Sequence, residues 1–262
     1  MAKLVKSLRV MDNIAFFRFY GEIIDLVTAK DKKSGGTIEY CFTGTPSVKD
    51  AIEAIGPPHT EIAAILVNSI SIGFDYLLHN NENVDVYSPG TNPLSSDQQL
   101  LSYRPKGEPK FILDVHLGAL AHYLRFTGFD TKYNNVDSGD EVIASTAQKE
   151  SRVLLTRDIG LLKRSIVKYG YWLRHTQPDK QFIEVARRYR LNSYLKPFTR
   201  CTICNGLLHE VEKAVIEDGL PPVVRSYYDD FWQCQQCHQI YWKGSHYKSI
   251  KTKIDLLIKT IS

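Results

Sequence analysis

Two Cys-x-x-Cys pairs constrain this chain more tightly than any other feature of its sequence. Cys201 and Cys204 form one pair, Cys234 and Cys237 the other, with residues 205–233 between them. Each pair marks a tight turn that aims two sulfurs at one point, and two such turns close a tetrahedral site of four thiolates. A closed site has no open position for a reactant, so the spacing predicts a structural zinc ion. Two redox-active pairs are the weaker alternative. Disulfides fit poorly, because the amino terminus, MAKLVKSLRV, lacks an apolar signal core and a cleavage site. No stretch approaches the ~20 consecutive apolar residues of a membrane span. A soluble, cytoplasmic protein without a membrane partner is expected. The fifth cysteine, Cys41, lies in an apolar stretch and reads as a core residue. His238 and His246 follow the second pair; either could replace a cysteine as ligand, but four cysteines suffice for the metal.

Ahead of the cysteines the chain falls into segments. In residues 1–90, IAFFRFY (14–20) and TIEYCF (37–42) read as strands. Ser47 and Asp50 form a capping box, and Val48, Ile52 and Ile55 recur near the helical period before Gly56-Pro57-Pro58 ends the helix. Strand-like 62–67 and 84–87 follow. The pattern predicts an α+β sheet with one helix on one face. Residues 91–109 belong to a Pro-, Gly- and Ser-rich stretch that reads as a linker. In 110–199 strands and helices alternate: strands at 110–115, 131–134, 152–156 and 169–174, and helices from Leu117, over 140–150, 159–168 and 178–190. Alternation of this kind predicts an α/β fold, a parallel sheet with helices on both faces. Residues 200–262 hold the cysteine pairs and an amphipathic tail at 248–259.

The carboxyl ends of parallel strands are where ligands bind in such sheets. Asp114 follows the strand FIL, Asp158 follows VLLTR, and Asp140 opens the helix between them. Helix capping is the alternative role for Asp140 and Asp158. Clustered carboxylates repel unless a hard cation neutralises them, and Mg²⁺ or Mn²⁺ prefers such oxygen ligands. Metal-assisted phosphodiester cleavage is the matching chemistry. The sequence has no G-x-S-x-G, P-loop or G-x-G-x-x-G, which removes the common serine-hydrolase and nucleotide-binding signatures. Residues 106–200 carry 17 basic and 10 acidic side chains, and Lys163–Arg200 alone ten basic and two acidic. Lys163, Arg164, Arg187, Arg188 and Arg190 are the candidate RNA-binding residues, with Tyr169, Tyr171, Trp172, Tyr189 and Tyr194 interleaved. A solvated basic face and core aromatics are the competing readings.

The runs FILDVHLGALAHYLRFTGFDT, DEVIASTAQKESRVLLTRD, RCTICNG and FWQCQQCHQIYWKGSH together resemble the Mut-seven C-terminal RNase family. That family comprises PIN-like nucleases with an appended zinc ribbon. The runs FRFYGE, PSVKDAIEAIGPPHTEI, LVNSISIGFDY and VDVYSPG resemble the ubiquitin-like, β-grasp domain often fused ahead of it. The resemblance implies a ribonuclease with Asp114, Asp140 and Asp158 as its catalytic Mg²⁺/Mn²⁺ ligands. Asp130, Arg125 and Arg157 match family positions near the site. Arg157 or Arg125 would stabilise phosphate charge or brace the carboxylates. The further acid that PIN nucleases place shortly after the third is missing from IGLLKR (159–164), and Asp137 or Glu141 would replace it. The β-grasp segment runs on past Gly90, so it lacks the free glycyl carboxylate of a sulfur carrier, and docking RNA or a protein partner is the more economical role.

The expected substrate is single-stranded or structured RNA, with tRNA among the candidates. A non-catalytic RNA-binding module and a toxin-type PIN endoribonuclease are the alternatives. The acid cluster favours an enzyme over a pure binder, since a binder has little use for carboxylates beside a polyanion.

Overall fold

The computed structural model describes residues 13–28, 36–91, 101, 104–136 and 139–260. The chain divides into two compact units, 1–103 and 104–262.

The first unit is built on a five-stranded sheet of order β2-β1-β5-β3-β4. Its strands are β1 (Asn13–Tyr20), β2 (Ile38–Phe42), β3 (Ala64–Val67), β4 (Ile70–Ser71) and β5 (Glu82–Tyr87). β1 and β5 pair in parallel and the other neighbours are antiparallel. β1 alternates strictly, so Ala15, Phe17 and Phe19 face a core shared with α1 (Val48–Ile55). Ser47 caps α1: its Oγ accepts from the Asp50 amide at 3.1 Å and donates to the Asp50 carboxylate at 2.7 Å, in place of the carboxylate–amide bond of a full capping box. Cys41 corrects the sequence reading. Within β2, Ile38 and Phe42 are buried while Glu39 and Cys41 point outward, so Cys41 is exposed. The linker reading for 91–109 falls largely outside the described residues; Leu101 donates to the Ala63 carbonyl.

The second unit is organised by a four-stranded, fully parallel sheet of order β7-β6-β8-β9. These strands are β6 (Phe111–Leu113), β7 (Thr131–Tyr133), β8 (Val153–Thr156) and β9 (Gly170–Trp172). The central strands read as unbroken apolar runs because both faces are covered. Phe111, Leu113, Val153 and Leu155 meet α2 (Gly118–Phe126) and α5 (Pro178–Tyr189) on one side. Ile112 and Leu154 meet α3 (Asp140–Lys149) and α4 (Ile159–Leu162) on the other. α4 is shorter than the helix expected over 159–168. Tyr171 and Tyr189 are buried in the core with mutually perpendicular rings, and Tyr169 is buried too, so these three aromatics are unavailable for stacking on bases.

The cysteine-bearing segment adds an antiparallel sheet of β10 (Leu208–Val211), β11 (Phe231–Cys234) and β12 (Ile240–Trp242). Two short helices, α6 (Lys213–Ile216) and α7 (Pro222–Tyr227), lie between β10 and β11. The last helix, α8 (Ser245–Lys259), buries Ile254 and Leu257 in the core of α2 and α5. Lys253 fixes it to α5 by an ion pair with Asp179 at 2.8 Å.

Candidate active site and metal centre

The order β7-β6-β8-β9 reverses direction between β6 and β8: the chain steps from β6 outward to β7, then crosses back to β8. The crevice outside the carboxyl ends of two such strands is the favoured binding place in open α/β sheets. Leu113 pairs with Leu155 in register, which sets Asp114 and the segment after Leu155 side by side at that edge. The Asp114 amide donates to the Leu155 carbonyl at 3.2 Å.

One hydroxyl then ties the two acids together. Thr156 Oγ1 donates to Asp114 Oδ2 at 2.8 Å and accepts from the Asp158 amide at 2.9 Å. Asp114 Oδ1 takes the Val115 amide at 2.6 Å. Asp158 caps α4, its Oδ1 accepting from the Gly160 amide at 2.7 Å. Its Oδ2 has no hydrogen-bond partner among the described residues. Capping and site membership are thus compatible for Asp158: one carboxylate oxygen holds the helix and the other is open. Thr156 was not singled out from sequence; its position two residues before Asp158, at the end of an apolar strand, was the available signal.

Asp140 stands at the first turn of α3, on the same edge by topology, and is exposed; Gly139, not Asp140, is the cap residue. Glu141 is exposed beside it. Asp137 lies outside the described residues. Among the described residues, the cysteines are the one set of three or more potential metal ligands whose donor atoms fall within 4.8 Å of each other. The structure therefore joins Asp114 to Asp158 through Thr156, and among the described residues no hydrogen bond ties the exposed Asp140 or Glu141 to either.

Other expected site residues lie elsewhere. Asp130 precedes β7 and so sits at the amino edge, opposite the acids. It pairs with Arg152 at 2.7 Å and accepts from Asn205 Nδ2 at 2.9 Å. Burial raises its pKa, but the Arg152 and Asn205 hydrogen bonds outweigh that and hold the carboxyl below its usual range. Arg125 is buried in α2. Its Nε donates to the Thr131 carbonyl at 2.9 Å and its Nη1 to the Thr202 and Ile203 carbonyls at 3.0 and 2.8 Å. It bridges the sheet to the first cysteine turn, with its guanidinium bound to backbone carbonyls. Arg157 is exposed, and its Nη1 donates to the carbonyls of Leu173, Arg174 and His175. It braces the backbone after β9, not the carboxylates.

The proposed RNA-binding cations are spread out. Lys163 and Arg164 follow α4. Arg187, Arg188 and Arg190 lie at the carboxyl end of α5, which starts beyond β9 and runs back toward the amino edge. Arg187 donates to the Thr260 carbonyl at 2.9 Å, and Arg188 lies 5.2 Å from the Tyr171 ring.

The four cysteines do converge. Cys201 and Cys237 sulfurs are 3.6 Å apart, Cys204 and Cys234 sulfurs 3.3 Å. A tetrahedron with ~2.3 Å metal–sulfur bonds has edges of about 3.8 Å, so the donor set suits a metal such as zinc. Backbone amides of Cys204, Gly206 and Gln236 point at the sulfurs, each at 3.4 Å. Burial raises Cys234, but the amides of Cys237 and Gln236 pull its thiol down to about 7. Gly206 is required here, since a Cβ would lie 2.7 Å from the Cys234 sulfur.

The first cysteine turn also covers β7, the outer strand of the sheet. Asn205 Oδ1 accepts from the Thr131 amide at 2.9 Å, and Arg125 takes the Thr131 carbonyl. A groove of about 640 Å³ runs between β7, α3 and the cysteine turns, lined by Val115, Tyr133, Arg200 and Gln236 among others. Val115 places one end of it next to Asp114.

Comparison with known proteins agrees with this architecture. Residues 109–254 match the family model described as the Mut7-C RNAse domain, and residues 12–94 match the one described as Mut7-C ubiquitin. Searches among curated proteins and solved structures gave no match. The first match spans more than half of the chain and includes the parallel sheet, both linked aspartates and all four cysteines. The chain belongs to the Mut7-C RNAse domain family, with a Mut7-C ubiquitin domain at its amino end.

Proposed function

We propose that this protein is a metal-dependent ribonuclease that hydrolyses RNA phosphodiesters at the carboxyl edge of its parallel sheet. The observation that carries the reading is the Asp114–Thr156–Asp158 bridge at the switch point between β6 and β8. Two fixed carboxylates with oxygen donors fit a hard cation, because Mg²⁺ is commonly held by one or two carboxylates and keeps several waters. Asp114 and Asp158 would hold Mg²⁺ or Mn²⁺, with Asp140 reaching it through water. The bound cation would neutralise phosphate charge and make a coordinated water more acidic. Thr156 and the Val115 amide orient Asp114, so its carboxylate meets substrate without rearranging. Arg157 keeps the backbone after β9 in place beside it. The four cysteines hold zinc in a structural role, and the ubiquitin-like domain docks a protein partner.

The test is cleavage of end-labelled RNA with Mn²⁺, Mg²⁺ or no added divalent ion, with Asp114→Asn as control. Cleavage that requires the ion and is lost in the variant supports the nuclease. The absence of a bond from Asp140 to Asp114 or Asp158 favours a second reading, an RNA-binding module without cleavage. Tight, salt-dependent binding with no products would select it.

A further inference from the structure

We propose that a second cavity, between β12 and the first turn of α8, receives one unpaired nucleobase of the RNA strand. This subsite rests on the ribonuclease reading and extends it. The cavity holds about 300 Å³ and is lined by the half-buried Phe198, Tyr241, Trp242 and Tyr247, with Ile203 and the buried Phe126 among its other residues. That volume is at the small end of ligand pockets, ~300–1,000 Å³. It suits one ring system and excludes a helix or strand of a partner protein.

The aromatic lining is held in place by an unusual backbone. Phe198 has φ 63°, in the left-handed region that a bulky L-residue rarely adopts. Its amide donates to the Phe126 carbonyl at 2.9 Å. Its ring centroid lies 4.6 Å from that of Tyr247 and 5.1 Å from that of Trp232, edge to face in both cases. Aromatic faces of this kind stack on bases of any sequence, while cations beside them track the phosphates.

Charge agrees with that occupant. Arg200 and His246 line the cavity and no carboxylate does. Arg200 also lines the 640 Å³ groove whose other end includes Val115, next to Asp114. A strand cut at Asp114 and Asp158 thus has a groove leading away from the acids and an aromatic cavity that shares Arg200 with it, Arg200 itself donating to the Gly128 and Asn205 carbonyls.

The experiment uses the full chain, zinc-loaded, as Asp114→Asn to prevent cleavage. The probe is a short single-stranded RNA carrying 2-aminopurine at one position per oligonucleotide. Stacking in the cavity should quench the probe at one position or two neighbours. Ile203 is 58 % exposed, so its substitution tests the cavity without opening the core. Ile203→Asp should abolish the position-specific quench and weaken binding about tenfold, within the range for losing one stacked base. Ile203→Asn, which removes the same side chain without adding charge, should also lose the position-specific quench, which separates loss of the subsite from charge repulsion; zinc content and the thermal midpoint confirm that both variants fold. Quenching that is uniform along the strand overturns the proposal. So does an affinity unmoved by Ile203→Asp, which would assign the cavity to an apolar side chain of a protein partner. If the unmodified chain still cleaves the RNA in either case, the subsite alone falls; if RNA is neither bound nor cleaved, the ribonuclease reading falls with it.

Discussion

At the scale of single residues, the Thr156 hydroxyl sets the spacing of two acids that belong to different strands. Thr156 is fully buried, so a replacement of the same shape removes the hydroxyl and little else. Thr156→Val leaves the Asp158 amide and Asp114 Oδ2 each short of a partner. The expected cost is about 1–3 kcal/mol in stability, the penalty for an unsatisfied buried polar group, read by denaturant unfolding. Cleavage should fall on the order of 10²-fold, as for a small misplacement of a catalytic group, whereas Thr156→Ser retains it. Asp114→Asn and Asp158→Asn should each abolish cleavage and leave zinc content unchanged. An active Asp158→Asn protein would remove that residue from the chemistry. Asp130 behaves differently, because its role is at the amino edge. Its folded pKa lies below the ordinary carboxylate value, chiefly because Arg152 and Asn205 outweigh burial. A depressed carboxylate stabilises the fold above its unfolded pKa and loses that contribution as pH falls through the folded pKa. Asp130→Asn should therefore be destabilised at neutral pH, and the gap to the unmodified protein should close on acidification below about pH 4. A gap independent of pH would show that the ion pair with Arg152 is not its source.

At the scale of elements, the parallel sheet was legible because its strands are buried on both faces and flanked by amphipathic helices. FIL and VLLT could not be surface strands, and Asp114 and Asp158 end them. Other parts were illegible for physical reasons. β10, β12, α6 and α7 are short and rely on packing around Phe231 and on the cysteine turns, which no periodicity announces. Cys41 was misread because its stretch is apolar, although the alternation of Ile38 and Phe42 places it on the outer face. Arg125 reads as an ordinary charge on a helix, yet it is only 3 % exposed because its partners are carbonyls of Thr131 and of distant Thr202 and Ile203. Burial lowers its pKa even so, against the pull of Cys201 and Cys204. Arg125→Met should strand those carbonyls and loosen the first cysteine turn from β7. The expected loss is roughly 2–4 kcal/mol, since several bonds to a charged group go at once. Faster amide exchange at Thr131 would locate the damage at the edge strand.

At the scale of the whole molecule, the cysteine site governs more than the turns that build it. The chain between Cys201 and Cys204 supplies two carbonyls to Arg125, and Asn205 seals the Thr131 amide and holds Asp130. The chain beyond Cys237 continues into α8, which buries Ile254 and Leu257 against α2 and α5. If the four cysteines hold a metal as proposed, its loss leaves four crowded sulfurs whose desolvation and mutual contacts raise the Cys237 thiol. In small metal domains binding free energy is folding free energy. Stripping the metal should therefore lower the unfolding temperature of the unit 104–262 by about 10 °C or more, since ~1 kcal/mol corresponds to ~2–4 °C at that size. The first unit has its own core around Phe17, Ile52 and Val84 and no cysteine of the site. Amide protection in β1 and β5 should survive the chelator while that in β7 and α8 collapses. Hydrogen exchange read by mass spectrometry separates the two. Protection lost equally in β1 and β7 would mean that the units do not fold independently. Protection retained in β7 would mean that Arg125 and Asn205 hold the edge strand without the metal, and that the cysteine site serves some end other than bracing the sheet.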